Sequence, residues 1–119
     1  MLYHDPVRAR LAQLPARDPV AALTAAGGDA DLAAELFAAL AAGLPEELNE
    51  LRADLAEGDW VGLAEHAHQM RGATRYCGVP ALDEATEALE RAARIEDPVL
   101  IAQAFANLEE ETLRVQTAG

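Results

Sequence analysis

The stretch that decides the fold is residues 60–77, which read WVGLAEHAHQMRGATRYC. Its mainly apolar positions recur in alternating steps of three and four residues, and they are Trp60, Leu63, Ala67, Met70, Thr74 and Cys77. That spacing predicts an amphipathic helix with one buried stripe. Asp59 precedes the stripe as a helix cap and Gly78 follows it as a left-handed exit, so we expect the helix to end near Tyr76.

A longer helical pattern lies upstream of this helix. It opens at Asp29 or Asp31 and ends at Gly58. Its stripe consists of Leu32, Leu36, Leu40, Leu44, Leu48, Leu51 and Leu55. Pro45 lies inside the pattern, and we expect it to kink the helix, because the apolar spacing continues in register on both sides.

Each of the remaining predicted helices has a proline at or near its first residue. Pro80 opens one helix, and the pairs Asp18-Pro19 and Asp97-Pro98 combine a capping aspartate with a proline suited to the first turn. Four long amphipathic segments joined by short connections predict an all-α, antiparallel up-and-down four-helix bundle. Short N-terminal helices should cover one end of it. We divide the 119 residues into a lead segment, 1–17, and a bundle domain, 18–119.

Composition excludes several classes of function. A formal net charge of −12 argues against nucleic acid as a partner. No run approaches the ~18 apolar residues of a membrane span, and the N-terminus does not resemble a signal peptide, so we expect a cytoplasmic domain without membrane contact. The acidic run 109–111 is expected on a solvated helical face. No glycine-rich phosphate loop or nucleophile elbow is present, so we expect no kinase activity and no enzyme.

His68 is the principal candidate functional residue. On the predicted helix it lies about 130° from the centre of the buried stripe, and its neighbours one turn away are the small residues Ala64 and Gly72. Arg71 and Arg75 share its side of the helix. An exposed imidazole beside two guanidinium groups is suited to carry a phosphoryl group.

His66 does not form a metal site with His68. Residues two apart on a helix point about 200° away from each other, so they cannot share an ion, and His66 is expected at the boundary of the stripe. A metal- or cofactor-binding bundle would need inward-facing ligands on at least two helices, whereas the stripes offer mainly aliphatic residues. We therefore predict no metal site.

The neighbours of His68 leave alternatives open. Arg71 and Arg75 either stabilise a phosphoryl group or pair with acidic residues of the bundle. Glu65 either bonds to Nδ1 of His68 or is simply solvated. A glycine in the middle of a helix lowers the stability of the helix by up to ~1 kcal/mol relative to alanine, so the absence of a side chain at Gly72 should serve a purpose. The two alternatives are close approach of a partner and close packing of another helix.

The motif around His68 resembles the signature of the histidine-containing phosphotransfer (HPt) family. The matching residues are Ala67-His68-Gln69-Met70-Arg71-Gly72, then Gly78, Leu82 and Leu89-Glu90. The segment 76–80 is similar to the C-terminal HPt module of BarA/GacS-type tripartite hybrid sensor kinases of bacteria, and the likeness covers roughly residues 18 to 115. Arg71 and Met70 replace the more common lysine and leucine.

The resemblance implies a phosphorelay function. His68 would accept a phosphoryl group from a phospho-aspartate of one receiver domain and pass it to an aspartate of another. The receiver domains, including those of a hybrid sensor kinase, would be the partners and would carry the Mg²⁺, so this chain would need no cofactor and would act as a monomer. The contact surface would comprise Ala64, Glu65, His68, Arg71, Gly72 and Arg75. The alternative is a helical adaptor that binds receiver or kinase domains without being phosphorylated.

Overall fold

The computed structural model describes residues 5–118, which form six α-helices and no strand. The helices are α1 (Pro6–Gln13), α2 (Pro19–Ala25), α3 (Ala30–Glu57), α4 (Trp60–Thr74), α5 (Pro80–Arg94) and α6 (Pro98–Ala118). The predicted all-α class is therefore confirmed. None of the described helices has the length and apolar character needed to cross a membrane.

Aspartate side chains cap most of the helices at the predicted places. Asp18, Asp59 and Asp97 each accept hydrogen bonds from backbone N–H groups in the first turn that follows. Of the two candidates for the start of α3, Asp29 is the cap, because its side chain accepts a bond from the N–H of Leu32 at 3.0 Å. These caps satisfy backbone donors that the helix itself leaves unpaired.

Helices α3 to α6 form the predicted antiparallel bundle. Short connections link them, α4 packs against α3 and α5, and α6 packs against α5 and α3, which closes the bundle. Fully buried aliphatic residues from all four helices form the core; the largest are Leu44, Leu51, Leu63, Leu82, Leu89, Ile101 and Leu108. Helix α3 is continuous through Pro45, so a complete break at this proline is excluded.

The two short N-terminal helices cover one end of the bundle, as predicted. Leu11 of α1 is buried in the main core, and α1 contacts α5. The N–H of Asp18 donates to the carbonyl of Gly78 at 2.7 Å, which joins α2 to the α4–α5 connection. Gly78 has φ +67°, and a Cβ there would lie 2.5 Å from the Asp18 carbonyl oxygen, so both its backbone and its space require glycine. The boundary at residue 18 stays a prediction.

The predicted stripe of α3 is not buried along its whole length. Leu32 and Leu36 are exposed, although they continue the α3 stripe. The Cys77 thiol, just beyond α4, lies 3.7 Å from the Leu36 carbonyl, so α4 ends beside this part of α3 and leaves these two side chains uncovered.

The acidic run 109–111 is not entirely on a solvated face. Glu111 is fully buried, where it pairs with Arg8 of α1 and with Arg114, whose guanidinium lies 2.6 Å from it. Arg114 also donates to the carbonyls of Leu11 and Leu14 at 3.1 and 2.7 Å. The charge is tolerated inside because α1 supplies a partner for it.

Candidate functional site

His68 lies on the outer surface of α4, and its side chain is 64% exposed. The preceding turn contributes Ala64 and the following turn contributes Gly72, so no large side chain of the same helix shields the ring. The predicted exposure of this histidine is confirmed. What the ring can do chemically then depends on which of its two nitrogens is free.

Nδ1 of His68 is held by Glu90 of α5. The two carboxylate oxygens of Glu90 lie 3.3 and 3.2 Å from Nδ1, and the Glu90 side chain is only 13% exposed. Arg94, one turn further along α5, donates from Nε to the same carboxylate at 3.0 Å. The three side chains form an ordered chain of contacts from α5 to the imidazole.

The charge of Glu90 decides the tautomer of His68. Partial burial acts to raise the pKa of Glu90, but hydrogen bonds from Arg94 and His68, with the charges of both, lower the pKa below the ordinary glutamate value. The carboxylate is therefore ionised at neutral pH and can only accept hydrogen bonds. Nδ1 must then carry the proton, which leaves the lone pair on Nε2.

Arg71 is engaged by α5. Its side chain is 17% exposed, with Nε 3.4 Å from Asp83 and a terminal nitrogen 3.3 Å from Glu87. Thr74 also donates to Asp83, at 2.8 Å. Partial burial opposes the charge, yet these carboxylates raise the pKa of Arg71 above its ordinary value. Of the two interpretations of this arginine, pairing within the bundle is the one observed.

The other predicted neighbours of His68 are exposed. Arg75 lies just past the end of α4, and within residues 5–118 no ion pair engages it. Glu65 is exposed, and the carboxylate that contacts Nδ1 of His68 belongs to Glu90 and not to Glu65. A Cβ at Gly72 would meet no atom within 4 Å, so close packing of another helix does not explain this glycine.

Ala64 is a correction to the predicted contact surface. It is 2% exposed and belongs to the hydrophobic core, so it cannot contribute to a partner surface. The reason is the packing of α5. His68 and Arg71, on the same flank of α4 as Ala64, both reach acidic residues of α5, so this flank is covered one turn before His68.

Sequence reasoning missed the face of α5 that organises the site. Its polar residues follow one another in steps of four, three and four, and they are Asp83, Glu87, Glu90 and Arg94. This spacing places them on one face of a helix, beside the buried stripe. Glu90 belonged to the family motif, but only the packing of α5 against α4 shows that it contacts the histidine.

An open groove runs between α3 and α4 beside Gly72. It has a volume of about 590 Å³, and its apolar lining includes Leu36, Leu40, Ala73 and Tyr76. Leu36 and Tyr76 are exposed there although both are large hydrophobic residues. The open side of Gly72 and this apolar groove together form a surface that a partner could approach closely.

His66 lies on the opposite flank of α4 and is 15% exposed. Its partners are acidic residues of α3, namely Glu47, Glu50 and Asp54. It therefore occupies the boundary position that the sequence indicated, and it does not share a ligand with His68. The acidic residues that surround it were not predicted.

Comparisons with known proteins identify the family of this chain. The model of the Hpt domain family matches residues 35–118. The sensor histidine kinase GacS of Pseudomonas protegens is 41% identical over 98 residues, which are 82% of this chain and 10% of that protein. The sensor protein GacS of Pseudomonas syringae pv. syringae is 44% identical over 68 residues, or 57% of this chain and 8% of that protein. The chain thus corresponds to about a tenth of the length of these relatives.

A solved structure shares the fold. The crystal structure of the HPT domain from the Hpt sensor hybrid histidine kinase of Shewanella has a TM-score of 0.69 and 25% sequence identity. The similarity covers 87% of this chain and 92% of that one. Because the family model spans most of the bundle and the relatives are the predicted kind of sensor kinase, the chain belongs to the Hpt domain family, whose members carry phosphoryl groups on histidine in phosphorelays.

Proposed function

We propose that His68 is the phosphoryl-accepting residue of this Hpt domain, and that the domain passes the group between two receiver domains. The observation that carries the proposal is the contact of Nδ1 with Glu90, which leaves Nε2 as an exposed nucleophile. No other histidine among residues 5–118 combines an anchored Nδ1 with such exposure, since His66 is largely buried among the acids of α3.

The transfer step uses the two nitrogens differently. Nε2 of the neutral ring attacks the phosphorus of a receiver aspartyl phosphate; a P–N bond forms, the P–O bond to the aspartate breaks, and the aspartate leaves as a carboxylate. The ring gains positive charge while Nδ1 keeps its proton, and the adjacent Glu90 carboxylate offsets that charge. The reverse step, with the aspartate of a second receiver, returns the ring to its neutral form.

The receiver would dock over Gly72 and the apolar groove between α3 and α4. The open space at Gly72 allows the partner to approach α4 closely next to the histidine. Arg75, which no described acidic residue engages, would contact the incoming phosphoryl group or the acidic edge of the receiver, and Glu65 would lie at the rim. Arg71 would act mainly by holding α5 and its Glu90 against α4.

The remaining parts of the proposal concern the partners. Hpt domains of hybrid kinases work with receiver domains, and we assign this domain to a cytoplasmic relay of that type. The receiver would supply the Mg²⁺ and the in-line geometry of transfer, so this chain would act as a monomeric carrier that turns over nothing by itself. The contact should be small and transient, because the carrier must release each partner.

The test is phosphoryl transfer from a radiolabelled phospho-receiver to this protein, run beside the His68→Gln variant. We expect acid-labile, base-stable label on the wild type and none on the variant. His66→Gln is the matched control for the acceptor residue, because it removes the other histidine of α4. Since His66 lines the groove between α3 and α4, this control compares the presence of label and not the rate of labelling.

The outcomes separate the relay from the adaptor. Label on His68→Gln would contradict the proposed acceptor residue. Tight binding of several phospho-receivers with no label on the wild type would favour the non-phosphorylated adaptor. Circular dichroism of the variant should match that of the wild type, since His68 contributes nothing to the core.

A further inference from the structure

A second cluster of potential ligands lies between α3 and α4, away from His68. His66 projects from α4 toward α3, and its Nε2 lies 2.7 Å from an oxygen of Glu47 and 3.3 Å from an oxygen of Glu50. Glu47 and Glu50 are three residues apart on α3, so both carboxylates lie on one face of that helix. The three ligand atoms all lie within 4.8 Å of one another.

The separations suit a small metal ion. Bonds of about 2.0–2.1 Å from nitrogen and oxygen ligands to a tetrahedral ion require ligand atoms about 3.3 Å apart. The distance from His66 Nε2 to Glu50 already has this value, and the contact of 2.7 Å to Glu47 needs only a small side-chain movement. Two carboxylates and one imidazole would supply three ligands and leave the fourth position for water.

The other ring nitrogen of His66 lies near a further carboxylate, beyond hydrogen-bond distance. Its Nδ1 lies 3.7 Å from a carboxylate oxygen of Asp54, one turn further along α3. Histidines that bind metal with one nitrogen usually donate a hydrogen bond to a carboxylate or carbonyl with the other, which fixes the ring and its tautomer. A proton on Nδ1 would leave the lone pair of Nε2 facing the two glutamates.

The burial of the histidine supports the same assignment. His66 is 15% exposed, whereas Glu50 is 57% exposed, so the imidazole is held in place while one carboxylate remains free to adjust. Three carboxylates surround this one ring in a protein of net charge −12. A divalent cation would offset the repulsion among them.

We propose that Glu47, Glu50 and His66 bind a divalent transition-metal ion that ties α3 to α4, with Zn²⁺ the best match to one imidazole and two carboxylates. The sequence predicted no metal site, because His66 and His68 point apart on one helix and the buried stripes of the bundle offer mainly aliphatic residues. The ligands in fact come from two helices. None of these ligands touches His68, but all three line the groove between α3 and α4 over which the receiver is proposed to dock.

The test is titration of the 119-residue protein with ZnCl₂, followed by isothermal calorimetry and by thermal unfolding. We expect one ion to bind and the Tm to rise by about 5 °C at a tenfold excess over the Kd. His66→Gln and Glu50→Gln should each weaken binding at least about tenfold. Glu46→Gln removes the same charge from an exposed neighbour, and His68→Gln removes the other histidine of α4; both should bind as the wild type does.

Three results would overturn the proposal. They are the absence of Zn²⁺ binding by the wild type, equal binding by Glu50→Gln and the wild type, and loss of binding in the His68→Gln control. If His66→Gln does not fold, the Zn²⁺ binding of Glu50→Gln tests the proposal, because the exposed Glu50 side chain contributes little to the core and its replacement should leave the fold intact. Because Glu50 also lines the groove between α3 and α4, calorimetry and the Tm decide this proposal, and both are measured without a receiver, so failure of metal binding is distinguishable from failure of the relay.

Discussion

At the scale of single residues, the important feature of His68 is the different state of its two nitrogens. Glu90 anchors Nδ1, and its hydrogen bonds from Arg94 and His68 lower its pKa, while the exposed side of the ring carries Nε2. An exposed histidine without such a partner would rotate freely and would present either nitrogen. The contact therefore supplies orientation and a fixed tautomer, which are the two things a nucleophilic imidazole needs.

Removal of the anchoring carboxylate should slow the relay. We expect Glu90→Ala to lower the rate of phosphoryl transfer to His68 about 10- to 100-fold, because the ring loses its fixed orientation and the charge that stabilises the phosphorylated form. The measurement is the single-turnover rate from a phospho-receiver. Glu84→Ala, on the same helix but paired with Arg10 of α1, is the control and should transfer normally; equal slowing in both variants would contradict the specific role of Glu90.

Removal of Arg94 should change the titration of Glu90. In the folded protein the pKa of Glu90 is lower than its ordinary value of about 4.3. The interactions of the ionised carboxylate therefore stabilise the folded protein at pH values above that ordinary pKa. This stabilisation is lost as the pH falls through the lower pKa of the folded state. Arg94→Gln should raise the pKa of Glu90, as measured by carbon NMR of its carboxyl group. Arg91→Gln, whose guanidinium pairs with Glu87, is the control.

An unchanged Glu90 titration in Arg94→Gln would refute the proposed effect of this arginine. So would an equal change in both variants, because a general loss of positive charge would then explain it. A second readout follows from the sign of the shift. The stability advantage of the wild type over Arg94→Gln should be present at neutral pH and should disappear at low pH, where Glu90 is protonated in both proteins.

At the scale of helices, the sequence predicted α2 to α6 but not how neighbouring faces meet. The apolar stripe of α4 correctly predicted that His68 is exposed, because the exposure of this residue follows from the pattern of one helix alone. The contact with Glu90 depends on how α5 lies against α4, and the burial of Ala64 depends on the same packing. The exposure of Leu36 likewise depends on where α4 ends beside α3. The apolar periodicity of one segment does not indicate which residues of a neighbouring helix will pack against it.

Docking of a receiver on α4 should depend on the absence of a side chain at Gly72. A Cβ there meets no atom, so Gly72→Ala should raise the free energy of unfolding by up to about 1 kcal/mol through higher helix propensity. Gly72→Phe should also fold, but should block receiver docking and transfer. The measurements are thermal unfolding and the transfer rate of each variant.

The matched control for Gly72→Phe is Ala102→Phe, at an exposed position of α6. This variant should fold and transfer as the wild type does. Normal transfer by Gly72→Phe would show that no partner approaches α4 closely at this glycine. Unfolding of Gly72→Phe would contradict the open space observed around it.

At the scale of the whole molecule, α1 is attached to the bundle through a buried charge. The sequence gave no reason to separate Glu111 from its acidic neighbours, because its partner Arg8 lies more than a hundred residues away along the chain. Leu11 enters the core from the same helix. Only the tertiary structure connects these residues, which is why the beginning of the chain looked like an unattached lead segment.

Loss of the partner of Glu111 should destabilise the protein. Arg8→Ala leaves a buried carboxylate with Arg114 alone, and we expect the free energy of unfolding to fall by about 3 kcal/mol, with the Tm falling by roughly 10 °C. Arg10→Ala is the control, since its pair with Glu84 is exposed and should contribute little. Equal stability of the two variants, measured by urea unfolding, would show that α1 is not held by this charge.

The most direct measurement is phosphorus–proton correlation NMR of the protein after phosphorylation by a phospho-receiver. With Nδ1 anchored by Glu90, the phosphoryl group should lie on Nε2 of His68, so phosphorus should couple to both carbon-bound hydrogens of the ring. Coupling to one ring hydrogen alone would place the group on Nδ1. That result, or a phosphoryl group on any residue other than His68, would contradict the assignment of Nε2 as the nucleophile.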